Sequence, residues 1–229
     1  PSFVWAVAQG LADAKGANTG EINPRLLRRF QPVVGQGGTA TVSPEKVALG
    51  RMLFFETRLS RGQDVSCNSC HDLATHGVDG RKTSVGHKGQ IGNRNAPTVY
   101  NAASHIAQFW DGRAETVEKQ ATGPILNPGE MANTEERVVE TLSSIPRYVE
   151  LFRAAYPGDA KPVSLANVGD AIGAFERGLA TSSRWDDFIA GKAGALSAME
   201  KRGLRVLLDV GCMACHTGPQ VGASMFQRV

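Results

Sequence analysis

The sequence predicts an all-α protein made of two similar units, and three observations carry that reading. Apolar residues recur at helical spacing, most clearly at Leu165, Val168, Ile172, Phe175 and Leu179. Runs of alternating apolar and polar residues, the mark of half-buried strands, are scarce. One five-residue pattern occurs twice, as Cys67-Asn68-Ser69-Cys70-His71 and as Cys212-Met213-Ala214-Cys215-His216.

Taken in order, the elements have local signals. After the Gly-rich stretch Gly35-Gln36-Gly37-Gly38, Ser43-Pro44-Glu45 reads as an N-cap, an N1 proline and an acidic first turn. The helix it opens carries Val47, Leu49, Leu53 and Phe54 and is expected to end near Glu56. The polar loop Ser60-Arg61-Gly62-Gln63-Asp64 leads into the first pentad. Between His76 and Pro97 the chain is rich in Gly, Asn and charge with no apolar periodicity. This predicts a long loop of the kind that tends to be functional. Helical signals resume over residues 115–121 and are expected to stop before Pro124. They return at Asn133-Thr134-Glu135-Glu136, a cap with acidic residues ahead of Val138, Val139 and Leu142, and end before Pro146. A short helix is predicted over residues 147–156, and a longer one from Ser164 to about Ala180. Ser197-x-x-Glu200 is a capping box, and its helix carries Leu204, Leu207 and Leu208 towards the second pentad.

In each pentad two thiols three positions apart lie on one helical turn. Both can add to the vinyl groups of one porphyrin, and the following imidazole then lies under the ring, where it can ligate iron. That is the attachment pattern for c-type haem. A Cys-x-x-Cys pair alone would also suit zinc or a redox dithiol. With 5 His in 229 residues, a His directly after both pairs is roughly a one-in-fifty coincidence each time. The chain is therefore read as binding two covalently attached haems, through Cys67, Cys70 and His71 and through Cys212, Cys215 and His216.

The pentads lie much further apart than solenoid repeats, and a helical unit around one haem needs on the order of a hundred residues. The expected division is an N-terminal segment (1–32), a first haem unit (33–180) and the start of a second (181–229), split near Ala180-Thr181-Ser182-Ser183. So little chain follows His216 that the second unit is expected to be incomplete here.

The composition, 41% hydrophobic and 21% charged, is that of an ordinary soluble globular protein. All 4 Cys fall in the pentads, leaving none for a disulfide. Haem is attached covalently outside the cytoplasmic membrane, so this Cys usage points to a periplasm. Phe3-Val4-Trp5-Ala6-Val7-Ala8-Gln9 reads either as the end of a secretory signal with an Ala-x-Ala site or as an ordinary apolar segment. No apolar stretch approaches the length of a membrane span. The net charge of +3 is small enough for haem propionates to cancel it. Without a Lys/Arg run or interleaved aromatics, no nucleic-acid partner is expected.

The first pentad, with Val85-Gly86-His87, Asn95-Ala96-Pro97-Thr98 and Gln108-Phe109-Trp110-Asp111-Gly112-Arg113, resembles the bacterial dihaem cytochrome c peroxidases. The likeness runs on through Gly123-Pro124-Ile125, Asn127-Pro128-Gly129-Glu130-Met131 and Ala174-Phe175-Glu176-Arg177 to the second pentad. It implies two all-α cytochrome c domains with haems that communicate across the interface, a calcium ion between them and often a homodimer. It makes the first haem the low-potential, peroxidatic one with His71 as proximal ligand. The second becomes the high-potential, electron-donating one with His216 as proximal ligand. By the same resemblance His87 is the second, removable axial ligand of the first haem, and its flanking Gly86 and Gly89 suit a ligand that must leave. Glu130 matches the acid–base residue, since cleaving the O–O bond needs a group that takes a proton from one oxygen and gives it to the other. Gln120 matches a neighbour that holds water or peroxide, and Trp110 a tryptophan between the haems. Asn95 matches a calcium ligand through its carbonyl oxygen.

His76 and His105 match no ligand position and read as a loop residue and a structural or surface residue. Met131 lines the same pocket or packs in the core. The family's distal Met on the second haem lies well downstream, and Met225 is too close to His216 to cross to the far face.

The function implied is periplasmic reduction of hydrogen peroxide to water, with electrons from a small soluble cytochrome c or a cupredoxin. Two other readings stand beside it. One is the related dihaem enzyme that matures a tryptophan-derived cofactor on a partner protein, which has Tyr in place of the distal Met. The other is a dihaem electron carrier with no catalysis. His87 favours the peroxidase over the first, and a carrier has no use for Glu130 and Gln120.

Overall fold

A computed structural model describes residues 22–33, 42–222 and 225–226. The apolar start of the chain and the Gly35-Gln36-Gly37-Gly38 stretch lie outside the described residues. Among those described there is no strand, only isolated bridges such as Val85 with Ile91. The helices are α1 (Pro24–Leu27), α2 (Pro44–Phe54), α3 (Cys67–Cys70), α4 (Val117–Leu126), α5 (Glu135–Ser143), α6 (Pro146–Ala155), α7 (Leu165–Arg177), α8 (Arg184–Ile189) and α9 (Ala198–Asp209).

The expected caps form. Ser43 Oγ accepts the Lys46 N–H at 3.2 Å, and Ser164 Oγ accepts that of Asn167 at 3.2 Å. Ser197 and Glu200 close their box, with the Ser197 N–H donating to Glu200 Oε2 at 2.7 Å. The long stretch between α3 and α4 is irregular, as its composition predicts, apart from 3-10 turns such as His87–Gly89. A second capping box, Ser183 with Asp186, opens α8, a helix the periodicity did not reveal because it is only one and a half turns long.

The expected stop before Pro124 does not occur, since α4 continues to Leu126. Pro124 removes one N–H from the helix, but tertiary structure secures the last turn. Ile125 is fully buried. The Pro124 carbonyl accepts the Met131 N–H at 3.1 Å and the Ile125 carbonyl accepts the Asn133 N–H at 3.0 Å.

Helix α7 is the spine of the core. Val168, Ala171 and Ile172 are fully buried, and Leu49, Leu53 and Phe54 of α2 pack around it with Leu142 and Phe152. Burying each such large side chain contributes roughly 1.5–3 kcal/mol. The helices meet backbone to backbone. A Cβ at Gly50 would lie 1.7 Å from the Ala171 carbonyl oxygen, and one at Gly173 would lie 2.9 Å from the main-chain nitrogen of Glu118 on α4. Arg177 then clamps α7 to α4 by donating to both oxygens of Glu118, at 2.6 and 3.0 Å.

Beyond α7 the chain turns back on the N-terminal segment. Gly218 N–H donates to the Arg29 carbonyl at 2.8 Å, Val33 N–H to Asp186 Oδ1 at 2.7 Å, and Phe30 meets Trp185 edge to face at 5.1 Å. Gln220 Nε2 reaches the Asn101 carbonyl at 3.2 Å and the Ser104 hydroxyl. The second pentad's loop thus touches both the N-terminal segment and the first unit.

Gly50→Ala forces a methyl into the Ala171 carbonyl and should cost about 3 kcal/mol of stability. Gly203→Ala, at a helical site with open space around it, should instead gain up to about 1 kcal/mol. Denaturant midpoints of the two holoprotein variants check both.

Candidate haem sites and the loops beside the first

The first pentad occupies a single helical turn, α3, followed by His71 as its C-cap. Ser66 N–H donates to Ser69 Oγ at 3.0 Å, which closes the start of the turn. Cys67 packs against the hydrophobic core. Burial, with the Glu176 carboxyl and Cys70 nearby, holds its thiol well above the usual value. His71 Nδ1 lies 3.0 Å from the Pro97 carbonyl oxygen. A carbonyl only accepts, so Nδ1 carries the proton and Nε2 keeps its lone pair. Burial holds this imidazole below its ordinary value, against the pull of its carbonyl partners, and keeps it neutral.

At the second pentad, Cys212–Ala214 form a 3-10 turn entered through Gly211 at φ 88°. His216 repeats the arrangement of His71, with Nδ1 3.0 Å from the Val221 carbonyl. Met213 is buried and Met225 exposed. Paired thiols and an imidazole with its Nε2 lone pair retained are the donor set that a c-type haem requires, so the residues at both pentads fit that group.

Around the first pentad three loops converge. His87 is buried, and its N–H donates to the Glu130 carbonyl at 2.6 Å. Its Nδ1 lies 3.0 Å from Asp64 Oδ2. Glu130 is half-buried, and Asn127 Nδ2 donates to its Oε1 at 2.7 Å. Burial pushes the Glu130 carboxyl up, outweighing the Asn127 hydrogen bond and the Arg113 charge. It is near enough to Cys70 to raise that thiol in turn. Gln120 lies half-buried on α4, the helix whose last turn holds the Glu130 loop.

Trp110 is exposed, and its Nε1 donates to the Asn95 carbonyl at 2.8 Å. Asn95 Nδ2 donates to the Arg81 carbonyl at 2.6 Å. No group of three or more His, Cys, Asp or Glu that could hold a metal ion is found among the described residues.

The structure thus joins His87 to the Glu130 loop and Trp110 to Asn95. It adds residues that sequence reasoning missed. Asp64 and Gly62 sit in a loop that carried no signal beyond polarity, and Asn127 was legible only as part of an Asn-Pro-Gly turn. Glu176 was legible only as part of Ala174-Phe175-Glu176-Arg177: its carboxyl is buried at the edge of the core, and burial and the like charge of Glu118 raise it to about 8.

Residues 44–194 match the family profile described as di-haem cytochrome c peroxidase. The chain belongs to this family. It is 48% identical to the cytochrome c551 peroxidase of Pseudomonas aeruginosa, a match covering 98% of this chain and 64% of that protein. It is 44% identical to the cytochrome c551 peroxidase of Nitrosomonas europaea, over 82% of this chain and 57% of that one. Among solved structures, a MauG-like protein associated with microbial copper homeostasis superposes with a TM-score of 0.71 at 31% identity, covering 82% of this chain and 57% of its own. The chain therefore spans somewhat under two thirds of the curated relatives' length. Membership of a di-haem family implies haem c as the resident group, in keeping with the donor sets just described. The all-α, cytochrome c-like fold is shown by the helical architecture and its di-haem neighbours.

A carboxyl raised by burial favours the folded state while it is neutral, below its ordinary value of 4.5, and that benefit is lost as pH rises towards about 8. Glu176→Gln keeps the neutral shape. Its stability relative to the parent should therefore grow between pH 5 and pH 8 by up to about 1.4 kcal/mol per unit, read from denaturant midpoints at the two pH values.

Proposed function

We propose that this chain forms part of a periplasmic enzyme that reduces hydrogen peroxide to two waters. The observation that carries this reading is the Glu130 carboxyl, raised by burial and tied through its own main chain to His87. In this reading Cys67, Cys70 and Cys212, Cys215 would anchor the haems, and the Nε2 lone pairs of His71 and His216 would be available to the irons. Bound haem iron would supply the two electrons that the reaction needs, one from each centre, and solvent the two protons.

The protein side of the chemistry falls to the loop after α4. Glu130 takes the proton from one peroxide oxygen and returns it to the departing one, and a raised pKa suits a group that must do both. Asn127 orients the carboxylate from Oε1. Gln120, one turn before Pro124, holds substrate or water by its amide. His87 is the removable ligand at the first haem.

Trp110 lies on the electron route, its indole steadied by Asn95. The Asn95 carbonyl has a second lone pair for calcium beside the one that Trp110 uses. The electrons come from a small soluble cytochrome c or a cupredoxin. In this reading residues 33–180 make up the peroxidatic domain and residues 181–229 open the electron-donating one, within a homodimer. No helix among the described residues is long and apolar enough to cross a membrane.

The test follows peroxide-dependent oxidation of a reduced small cytochrome c by the complete holoprotein. Glu130→Gln should leave both haem spectra intact and cut turnover by about 100-fold or more; unchanged turnover removes Glu130 from the mechanism. His87→Gly should make the first haem high-spin in the oxidised protein without prior reduction. A spectrum that stays low-spin with two imidazoles refutes the ligand assignment.

A further inference from the structure

Of the three histidines assigned to iron, two have Nδ1 bonded to neutral main-chain carbonyls, Pro97 for His71 and Val221 for His216. His87 differs. Its Nδ1 lies 3.1 and 3.0 Å from the two carboxylate oxygens of Asp64. The ring is buried while the Asp64 side chain is 44% exposed.

The site around that contact is built. Gly62 leaves room for the ring, since a Cβ there would lie 2.4 Å from His87 Cε1. Ser60, buried, accepts the N–H groups of Asp64 and Val65 at 3.0 and 3.1 Å, and its hydroxyl lies 3.0 Å from Asp64 Oδ1. The carboxylate is therefore fixed before the imidazole meets it. On the other side, the His87 N–H is tied to the Glu130 carbonyl. A carboxylate accepts from Nδ1–H, which leaves the lone pair on Nε2, and Nε2 makes no hydrogen bond among the described residues.

We infer that Asp64, seated by Ser60 and Gly62, is the positioning residue that sets the tautomer and the donor strength of His87. This rests on the reading of His87 as an axial ligand. A charged acceptor behind an imidazole makes its other nitrogen a stronger donor than a neutral carbonyl does. Stronger donation favours the oxidised iron, so Asp64 holds the ligand on and the potential of that haem down. The removable ligand thus has a side chain behind it, and the permanent ones have main chain.

The experiment compares oxidised and reductively titrated holoprotein for Asp64→Ala, Asp64→Asn, Gly62→Ala and His87→Gly. Asp64→Ala should give the first haem a high-spin fraction and shift its midpoint potential upward, with the second haem unchanged. Asp64→Asn, whose amide oxygen still accepts, should shift it the same way but less. Gly62→Ala should displace the ring and also raise the high-spin fraction. If His87→Gly turns high-spin while Asp64→Ala keeps the parental spin state and potential, the role of Asp64 is overturned and the ligand stands. A downward shift in Asp64→Ala overturns it as well. If His87→Gly itself stays low-spin, ligand and positioning role fall together.

Discussion

Gly50 lets the backbone of α2 approach the Ala171 carbonyl of α7, and the positions of the haem-side loops descend from that contact. With α7 so placed, Gly173 and the Arg177–Glu118 clamp set α4. The last turn of α4 carries the Glu130 loop, held by its carbonyls. That loop is stitched in turn to the segment ahead of the first pentad: Arg61 N–H donates to the Met131 carbonyl at 2.9 Å and Asn133 Nδ2 to the Leu59 carbonyl at 2.9 Å. A run of short, fixed links leads from the core to the loops of Glu130 and His87, with no sheet among the described residues. Such links transmit position well because buried backbone groups must keep their partners.

Within that frame, environment gives one residue type opposite behaviours. Burial alone would lift Glu56, Glu118, Glu130 and Glu176. Glu56 and Glu118 nevertheless fall below their ordinary values, because Arg58 and Tyr148 hold the first and Arg177 the second. Glu130 has only an amide and a more distant Arg113, and burial wins. Glu176 has a like-charged neighbour, and burial is reinforced. The core therefore separates carboxylates that serve as struts from carboxyls that can carry protons.

Much of the fold was legible because its signals are local. Ser43, Thr134, Ser164 and Ser197 each cap a helix within a residue of where the pattern predicts. Pro124 misled because its cost is local while its compensation, from Met131 and Asn133, comes from further along the chain. The pentads were legible because haem attachment fixes their spacing. Asp64 was not, because its partner lies 23 positions away and nothing in Ser60-Arg61-Gly62-Gln63-Asp64 announces a buried imidazole. The exposure of Trp110 was equally out of reach, since aromatic character alone argues for burial.

Pro97 and Val221 act through their peptide oxygens, so any residue that preserves the local backbone can stand there and His71 and His216 will keep the same tautomer. Drift at those two positions is chemically silent. Asp64 acts through atoms that a single substitution deletes, so the chemistry of His87 is open to inherited variation while that of the other two histidines is insulated from it. Relatives sharing this scaffold could diverge in how firmly one imidazole is held without disturbing the helices that carry the rest.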